Sequence, residues 1–192
     1  MSIYLQRNAG DDTIIGIWKI EETWDKREQI RHHRITTQQL LRHLLSSKPE
    51  VKINYDTNGK PFLPGSEYKI SISHSNKLVA IQLSKIHAGV DIQQIGKKIE
   101  RIAEKFMSER ELISLKGNNQ VEQLHVYWGA KEVLYKIYGK RALHFKENLL
   151  IEPFEYKAKE MITGHVFIAG IKKTYSLYYE KIGNYMLVFV NN

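Results

Sequence analysis

The chain has 192 residues and no cysteine. This absence excludes disulfide bonds, zinc sites built on thiolates and a cysteine nucleophile. No apolar run approaches the roughly 18 residues of a membrane helix, so no membrane span is expected. The first residues, MSIYLQRNAGDDT, lack the basic and then apolar segments of a secretory signal. We therefore expect a cytoplasmic protein.

Negative charge is scarce relative to positive charge. The chain has 21 Asp and Glu residues and 29 Lys and Arg residues, which gives a formal net charge of +8. A basic surface attracts nucleic acids, acidic proteins and phosphorylated small molecules. The same excess also serves solubility alone. The basic residues are spread along the chain instead of forming one tract, which argues against a tail that binds nucleic acid.

The first half of the chain predicts a strand, a helical region and then several strands. A helical pattern covers residues 22–45 and is expected to form two helices that break near Thr36–Thr37. Asn58–Gly59 is a strong turn signal. β-branched or alternating apolar residues predict strands at 13–20, 51–56, 68–75, 78–83 and 88–94.

The second half again places helices before strands. Helical patterns cover 99–116 and 121–138, with a break at Gly117–Asn119. Four strands are expected after them, in ENLLIEP, GHVFIAG, KKTYSLYYEKI and NYMLVFV. No linker rich in Pro, Gly or Ser separates the two halves. The sequence therefore predicts an α+β fold in which two similar halves form one compact body.

An acidic residue interrupts the apolar strand GVDIQ, residues 89–93. Alternate side chains of a strand share a face, so Asp91 and Gln93 point the same way, opposite to Val90 and Ile92. A carboxylate in such a place is costly unless it is paired or binds a metal ion. Two interpretations therefore remain: backbone N–H groups satisfy Asp91 at the strand end, or Asp91 belongs to a site.

The segment HVYWGAKEVLYKIYGK, residues 125–140, has the periodicity of an amphipathic helix but carries several charges. Trp128, Glu132, Tyr135 and Lys136 fall near one face by the i, i+3 and i, i+4 rule. Glu132 and Lys136 either form an ordinary surface ion pair or line the wall of a site. The pattern alone does not separate these two interpretations.

Two further segments offer partners for phosphate. In ISISHS, residues 70–75, Ser73 and His74 follow the end of a strand pattern. Adjacent residues of an extended chain point to opposite faces, which argues against a serine nucleophile with a histidine base. In NGKPFLPG, residues 58–65, Lys60 stands between Gly59 and Pro61, either as a point charge for phosphate or as a loop lysine without a partner.

Taken together and in this order, these segments resemble the 4′-phosphopantetheinyl transferase superfamily. The length resembles the monomeric, surfactin-synthetase-type branch, whereas the shorter holo-acyl-carrier-protein synthase type forms trimers. The resemblance covers about residues 30–145. The matching residues are Gly59-Lys60-Pro61, Ser71-Ile72-Ser73-His74-Ser75, Gly89-Val90-Asp91-Ile92, and Trp128-Gly129-Ala130-Lys131-Glu132 with Lys136.

The resemblance implies a fold and an activity. The fold is two pseudo-symmetric α/β lobes, residues 1–88 and 89–192, each a small, mostly antiparallel sheet packed with helices, with the site in the cleft between them. The activity is transfer of phosphopantetheine from coenzyme A to a serine of an acyl or peptidyl carrier protein, releasing 3′,5′-ADP, with Mg²⁺ as the metal. The expected molecule is a monomer that binds neither nucleic acid nor membrane.

The resemblance also implies roles for individual residues. Asp91 and Glu132 match the Mg²⁺ ligands, and Gln93 stands where many members have a third acid, as a weaker ligand or the holder of a metal-bound water. Lys136 is assigned to the phosphate that leaves or is attacked, so the expected catalytic residues are Asp91, Glu132 and Lys136. The residues expected to contact coenzyme A phosphates are Lys60, Ser73, His74, Lys131, Lys136 and, on the early helix, Arg34.

Three questions stay open at this level. Glu111 matches a recurrent glutamate that orients a site lysine or serves as a base, so the base for the carrier serine is Glu111, Glu132 or a metal-bound water. Gln93 suggests, as one alternative, a family member that binds coenzyme A without turnover. The net charge suggests, as another, a basic protein that binds nucleic acid.

Overall fold

Two antiparallel sheets, one from each half of the chain, form the framework of the molecule. This arrangement confirms the predicted α+β class with two lobes that each contain a sheet, packed in the described part of the chain with one helix in the first lobe and several in the second. None of the helices in the described part of the chain is long and apolar enough to cross a membrane. The structure is a computed structural model, and it describes residues 2–9, 12–20, 26–46, 51–139 and 143–192.

The first half contributes a four-stranded sheet and one long helix. The sheet has the order β1-β2-β6-β5, and β3 and β4 form a separate ribbon across the Asn58–Gly59 turn. The elements are β1 (Ser2–Asn8), β2 (Thr13–Lys19), α1 (Lys26–Leu44), β3 (Asn54–Tyr55), β4 (Pro61–Phe62), β5 (Lys69–Ser75) and β6 (Leu78–Ser84).

Helix α1 is continuous, so the predicted break near Thr36–Thr37 is wrong. Both threonines are buried, and the Thr37 hydroxyl donates to the carbonyl oxygen of His33 at 2.6 Å. This bond satisfies the hydroxyl within the helix, so the threonine does not end it. The predicted helix start near Glu22 lies outside the described residues.

The second half contributes a five-stranded sheet with the order β7-β11-β10-β9-β8. All four strands predicted after the long helix are present. The elements are β7 (Val90–Gln94), a 3₁₀ turn (Lys97–Ile102), α2 (Ala103–Phe106), α3 (Glu109–Ile113), α4 (Gln120–Tyr138), α5 (Phe145–Asn148), β8 (Leu149–Ile151), β9 (Lys159–Ile168), β10 (Ile171–Ile182) and β11 (Tyr185–Asn191).

The region predicted as one helical stretch at 99–116 is divided into three short pieces. Met107 has an extended backbone, and Ser108 starts α3 with a capping box to Glu111. A capping box satisfies N–H groups at a helix start, so it favours a new helix over continuation of the old one. Helix α4 ends as expected, since Gly139 adopts a left-handed conformation with φ of 71°.

A shared apolar core joins the two sheets. This core contains four residues from each sheet, and each of them is no more than 2% exposed. The first sheet contributes Ile15, Ile17, Leu78 and Ala80. Burial of apolar surface of this kind is the main stabilising term in folding. The partners from the second sheet are Val90, Ile92, Leu187 and Phe189.

Strands β5 and β7 belong to different sheets but lie side by side, joined by three serine hydroxyls. Ser71, Ser73 and Ser75 accept hydrogen bonds from the backbone N–H groups of Val90, Ile92 and Gln94, at 3.0, 3.2 and 2.9 Å. Since alternate strand residues share a face, the ISISHS pattern places all three serines on the same side. This serine ladder positions β7, and therefore Asp91, against the first sheet.

Candidate active site

A cleft of about 290 Å³ lies where the two halves meet. The first half supplies Tyr55, Lys60 and His74 to its wall, and the second half supplies Tyr135 and Lys136. Tyr55 and His74 also border a second depression of about 590 Å³, which extends along α1 past His33 and Arg34. The two depressions together present several basic side chains to one elongated space.

Asp91 is 7% exposed and receives three side-chain hydrogen bonds. Its Oδ1 accepts from Ser73 Oγ at 2.9 Å and from Lys136 Nζ at 3.0 Å, and its Oδ2 accepts from Gln93 Nε2 at 3.2 Å. The predicted shared face of Asp91 and Gln93 is confirmed by the last contact. Asp91 is therefore held by donors from both halves of the chain, and not by backbone N–H groups at a strand end.

Lys136 reaches from α4 to β7 and does not pair with Glu132. Its Nζ donates to the Val90 carbonyl oxygen at 2.8 Å as well as to Asp91. With 25% of its side chain exposed, Lys136 also borders the cleft. The interpretation of Glu132 and Lys136 as a surface ion pair is therefore wrong, because the lysine is used to connect two elements.

Glu132 is half-buried and makes no hydrogen bond or ion pair with the residues that the structure describes. Burial raises the pKa of its carboxyl group, the charge of Asp91 raises it further, and Lys136 opposes both effects. The two carboxylates are therefore close enough to repel each other, and only Asp91 has compensating donors.

Two neighbouring carboxylates suit Mg²⁺, which usually binds through one or two carboxylates and completes its shell with water and substrate phosphates. A divalent ion would relieve the repulsion that raises the pKa of Glu132. No complete set of three acidic or histidine ligands is assembled among the described residues. Asp91 and Glu132 therefore fit a site that the substrate completes.

Gln93 does not match the predicted role of a metal ligand. Its Nε2 donates to the backbone oxygen of His125 at 3.1 Å, and its Oε1 lies 2.8 Å from His125 Nδ1. A backbone carbonyl only accepts hydrogen bonds, so this contact fixes which end of the amide is the NH₂ group. The amide turns its N–H toward Asp91 and its oxygen away, toward His125.

His74 lies between the two depressions and is held in one neutral form. The Thr37 hydroxyl donates a hydrogen bond to the backbone carbonyl oxygen of His33, so it accepts from His74 Nε2 at 2.8 Å, which leaves Nδ1 of the neutral ring without a proton. The ring of His33 stacks on that of His74 with centroids 4.8 Å apart. His74 keeps an exposed edge, but partial desolvation by the surrounding protein, with the charges of His33 and Lys136, lowers its pKa to about 4.

Lys60 connects the loop of the first half to the end of α4. Its Nζ donates to the Ile137 carbonyl oxygen at 2.8 Å, where the negative end of the helix dipole favours a cation. The Asp56 carboxylate holds the loop by accepting from the N–H groups of Asn58 and Lys60. A Cβ at Gly139 would lie 2.5 Å from Lys60 Cδ, so glycine leaves room for this lysine.

Ser73 is placed differently from the expectation that it contacts a coenzyme A phosphate. It is 7% exposed, donates to Asp91 and accepts from the Ile92 N–H. The single hydroxyl proton of Ser73 is therefore already used in a hydrogen bond to Asp91, between strands β5 and β7 where the two lobes meet. Ser73 acts on the site through Asp91.

Lys131 also differs from its predicted position, because it lies in the core of the second half with 0% exposure. Its three N–H groups donate to Glu111 and to the carbonyl oxygens of Phe106 and Phe145, at 2.8, 2.6 and 3.0 Å. Glu111 also accepts from Ser108 and from the Ile151 N–H. Neither residue of this buried pair lines the cleft, and the three N–H groups of Lys131 are used within the core.

The sequence did not single out Thr37, Tyr55 or His125, although all three contribute to the site. The i, i+4 spacing of His33 and Thr37 is a helical signal, but their contact with His74 is a tertiary one. His125 lies on α4 opposite Gln93 of β7, and no local pattern shows that pairing.

Comparison with known proteins identifies the family. A model of the 4′-phosphopantetheinyl transferase superfamily matches residues 87–186, just over half of the chain. The chain belongs to this superfamily. The match includes Asp91, Glu132 and Lys136, while Lys60 and His74 precede it.

A curated relative agrees with this family. The 4′-phosphopantetheinyl transferase gsp of Aneurinibacillus migulanus is 36% identical over 85 residues, which are 43% of this chain. The matched segment spans only 35% of that relative's length. The likeness therefore supports the superfamily and leaves the activity of this chain to be argued from its own site.

Proposed function

We propose that this protein transfers the 4′-phosphopantetheine group of coenzyme A to a serine of an acyl or peptidyl carrier protein, with Mg²⁺, and releases 3′,5′-ADP. The observation that carries the proposal is a group of three charges: Asp91 is paired with Lys136, which borders the cleft between the two halves, and the uncompensated carboxylate of Glu132 interacts electrostatically with both. Membership of the superfamily supports it.

The residues of the cleft suit the phosphates of coenzyme A. Lys60, Lys136, His74 and Arg34 border the two adjacent depressions and come from four separate segments of the chain. Lysine binds phosphate through the compact charge of its ammonium group, and arginine binds it through the several N–H donors of its planar guanidinium group. We assign these four residues to substrate binding and leave out Ser73 and Lys131, whose donors are already used.

Asp91 and Glu132 would hold the metal ion, with substrate phosphate and water as the remaining ligands. Bound there, Mg²⁺ supplies positive charge against the charge that develops when the pyrophosphate bond breaks. Lys136 is fixed on Asp91 and faces the cleft, so its ammonium group stabilises the same developing charge without rearrangement.

Among the protein's carboxylates near the cleft, Glu132 is our candidate for accepting the proton of the carrier serine. Its carboxylate accepts no hydrogen bond from the described residues, so its oxygens are free to take a proton, whereas those of Asp91 accept three donors. Glu132 is preferred to Glu111 because the oxygens of Glu111 accept four hydrogen bonds in the core.

The positive net charge supports an acidic partner. Coenzyme A is an anion, and a basic surface accelerates encounter with an acidic carrier protein. This contribution should weaken as ionic strength rises, because salt screens interactions between exposed charges.

The test is incubation of the protein with apo-carrier proteins, coenzyme A and Mg²⁺, followed by mass spectrometry of the carrier. One phosphopantetheine group should be added per carrier domain, and the Glu132→Gln variant should show almost none. Absence of transfer to every one of several acyl and peptidyl carriers would overturn the proposal.

One observation favours a second candidate, a family member that binds coenzyme A without turnover. Gln93 presents an amide N–H to Asp91 where many members have a further acid. Calorimetry that shows coenzyme A binding, together with no transfer in the mass-spectrometric assay, would support this candidate over the first.

A further inference from the structure

We infer that Ser73 is a positioning residue that fixes the Asp91 carboxylate for metal binding. The inference rests on the proposed function only in taking Asp91 as a metal ligand. It assigns Ser73 to the metal site through a neighbour, without a contact between Ser73 and coenzyme A.

The serine ladder provides an internal comparison. Ser73 and Ser75 both accept a backbone N–H of β7, from Ile92 and Gln94. Only Ser73 also donates to a carboxylate, at 2.9 Å from Asp91 Oδ1. The two serines therefore share the role of joining the lobes and differ in their contact with the site.

The same strand orients both the hydroxyl of Ser73 and the carboxylate that it holds. The Ser73 oxygen accepts a hydrogen bond from the Ile92 N–H through one of its lone pairs. The hydroxyl proton then points to the carboxylate of Asp91, the residue before Ile92. The contact is buried, because Ser73 and Asp91 are each 7% exposed. Water is therefore a poor substitute for this bond.

The donors divide the two oxygens of Asp91 into unequal roles. Among the described residues, Oδ1 accepts from Ser73 and Lys136, whereas Oδ2 accepts only from Gln93. Oδ2 therefore has the greater remaining capacity for a cation. Without the Ser73 hydroxyl, Oδ1 loses one donor and the carboxylate gains freedom to rotate away from that geometry.

The experiment compares Ser73→Ala with the matched control Ser75→Ala. Binding of Mn²⁺, a paramagnetic probe in place of Mg²⁺, is followed by electron paramagnetic resonance with coenzyme A present and no carrier protein. Loss of a residue that orients a metal ligand typically weakens metal affinity by about tenfold or more. We expect about that effect for Ser73→Ala and less than about twofold for Ser75→Ala. The urea midpoint should fall more for Ser73→Ala, whose hydrogen bonds are buried, than for Ser75→Ala, whose hydrogen bond is exposed.

A third variant, Ser73→Thr, keeps the hydroxyl and should recover most of the Mn²⁺ affinity. Equal weakening of Mn²⁺ binding by Ser73→Ala and Ser75→Ala would overturn the inference. So would a Ser73→Ala variant that keeps its Mn²⁺ affinity but binds coenzyme A more weakly in metal-free calorimetry, because Ser73 would then be a substrate ligand.

The outcomes separate this inference from the proposed function. A wild type that binds Mn²⁺ with the expected dependence on Ser73, but transfers nothing to any carrier, contradicts the function and supports the inference. A wild type that transfers phosphopantetheine, but binds Mn²⁺ equally well with and without the Ser73 hydroxyl, contradicts the inference alone.

Discussion

At the scale of single residues, similar side chains have different roles because their surroundings differ. Lys131 and Lys136 lie on the same helix, but one has 0% exposure and the other reaches the cleft. Five residues at 3.6 per turn separate them by about 140° around the helix axis. Their sequence pattern does not show which side faces the cleft, because α4 is buried around most of its circumference.

The two lysines of the cleft should affect different kinetic constants. Lys136→Ala removes a charge held on Asp91, where negative charge grows in the transition state, so kcat should fall by about 100-fold or more. Lys60→Ala removes a charge of the substrate-binding wall, so KM for coenzyme A should rise by about tenfold with a smaller change in kcat. Steady-state kinetics of both variants gives the comparison.

Lys157→Ala is the control for this comparison, because Lys157 is an exposed residue paired with Glu160 outside the cleft. Its kinetic constants should be close to those of the wild type. A Lys136→Ala variant with normal kcat and a raised KM would contradict the division of roles.

His74 should couple coenzyme A binding to proton uptake. The fold lowers the pKa of His74 to about 4, so it disfavours the charged ring, and the stability due to this residue falls as the pH drops from about 6.5 toward 4. A phosphate beside Nδ1 has the opposite preference, because it attracts the protonated ring. The affinity for coenzyme A should therefore rise as the pH falls from 7.5 to 5.5.

Calorimetry in two buffers of different ionisation enthalpy measures the protons taken up. Coenzyme A itself has titrating phosphates, so the His74→Gln variant provides the baseline. Equal proton uptake by the wild type and His74→Gln would show that this ring does not meet a phosphate.

At the scale of elements, the buried pair of Glu111 and Lys131 joins five elements of the second half. Seven hydrogen bonds of 2.6–3.4 Å connect α4 to α3, to the end of α2, to the start of α5 and to the end of β8. These elements support the face of α4 that carries Glu132 and Lys136. The pair therefore affects the site through the position of the helix.

Breaking this pair on one side should be strongly destabilising. Lys131→Met leaves the Glu111 charge buried without its partner, which typically costs about 3–5 kcal/mol of unfolding free energy. The double variant Lys131→Met, Glu111→Gln removes both charges and should recover part of that loss. Urea denaturation measures both, and a Lys131→Met variant as stable as the wild type would contradict the role assigned to the pair.

The elements show what local pattern predicts and what it does not. Helix α4 and the strands after it were predicted because their periodicity is long and uninterrupted. Strand β1 was not, since its described side chains alternate only between exposed and partly exposed at the edge of the sheet, which weakens the apolar signal. The break at Met107 depends on a capping box that competes with helix continuation.

For the site, too, the sequence predicted what depends on local pattern and not what depends on tertiary packing. The common face of Asp91 and Gln93 follows from the two-residue period of a strand. The contact of Lys136 with Asp91, 45 residues away, depends on the packing of α4 against β7 and has no local signal. The orientation of the Gln93 amide depends on His125 in the same way.

At the scale of the molecule, the contact between the two halves, along β5 and β7, brings the substrate-binding residues of the first half close to the proposed catalytic residues of the second. The serine ladder, the shared apolar core and Gln82, which bridges Gly89 and Val190, hold β7 against the first sheet. The first half thus places Lys60 and His74 across a cleft from Tyr135 and Lys136. That both walls come from one chain is the reason for predicting a monomer, which light scattering at micromolar concentration tests.

Metal and coenzyme A should therefore bind cooperatively across this contact between the two halves. Asp91 and Glu132 are the two protein carboxylates of the proposed site, and Gln93 turns its N–H toward it, so free Mg²⁺ or Mn²⁺ should bind weakly. Coenzyme A bound by the basic residues Lys60, His74 and Arg34 would add phosphate oxygens to the coordination shell of the metal. Its presence should tighten Mn²⁺ by at least about tenfold, and linkage requires that Mn²⁺ tighten coenzyme A by the same factor.

The Glu132→Gln variant separates the two sites in this measurement. It removes one metal ligand and a repulsive charge, so it should lose most Mn²⁺ affinity while metal-free binding of coenzyme A stays equal or becomes stronger. Titration of both ligands, each with and without the other, completes the thermodynamic cycle for the wild type and the variant. The same Mn²⁺ affinity with and without coenzyme A in the wild type would mean that the phosphates do not complete the metal site.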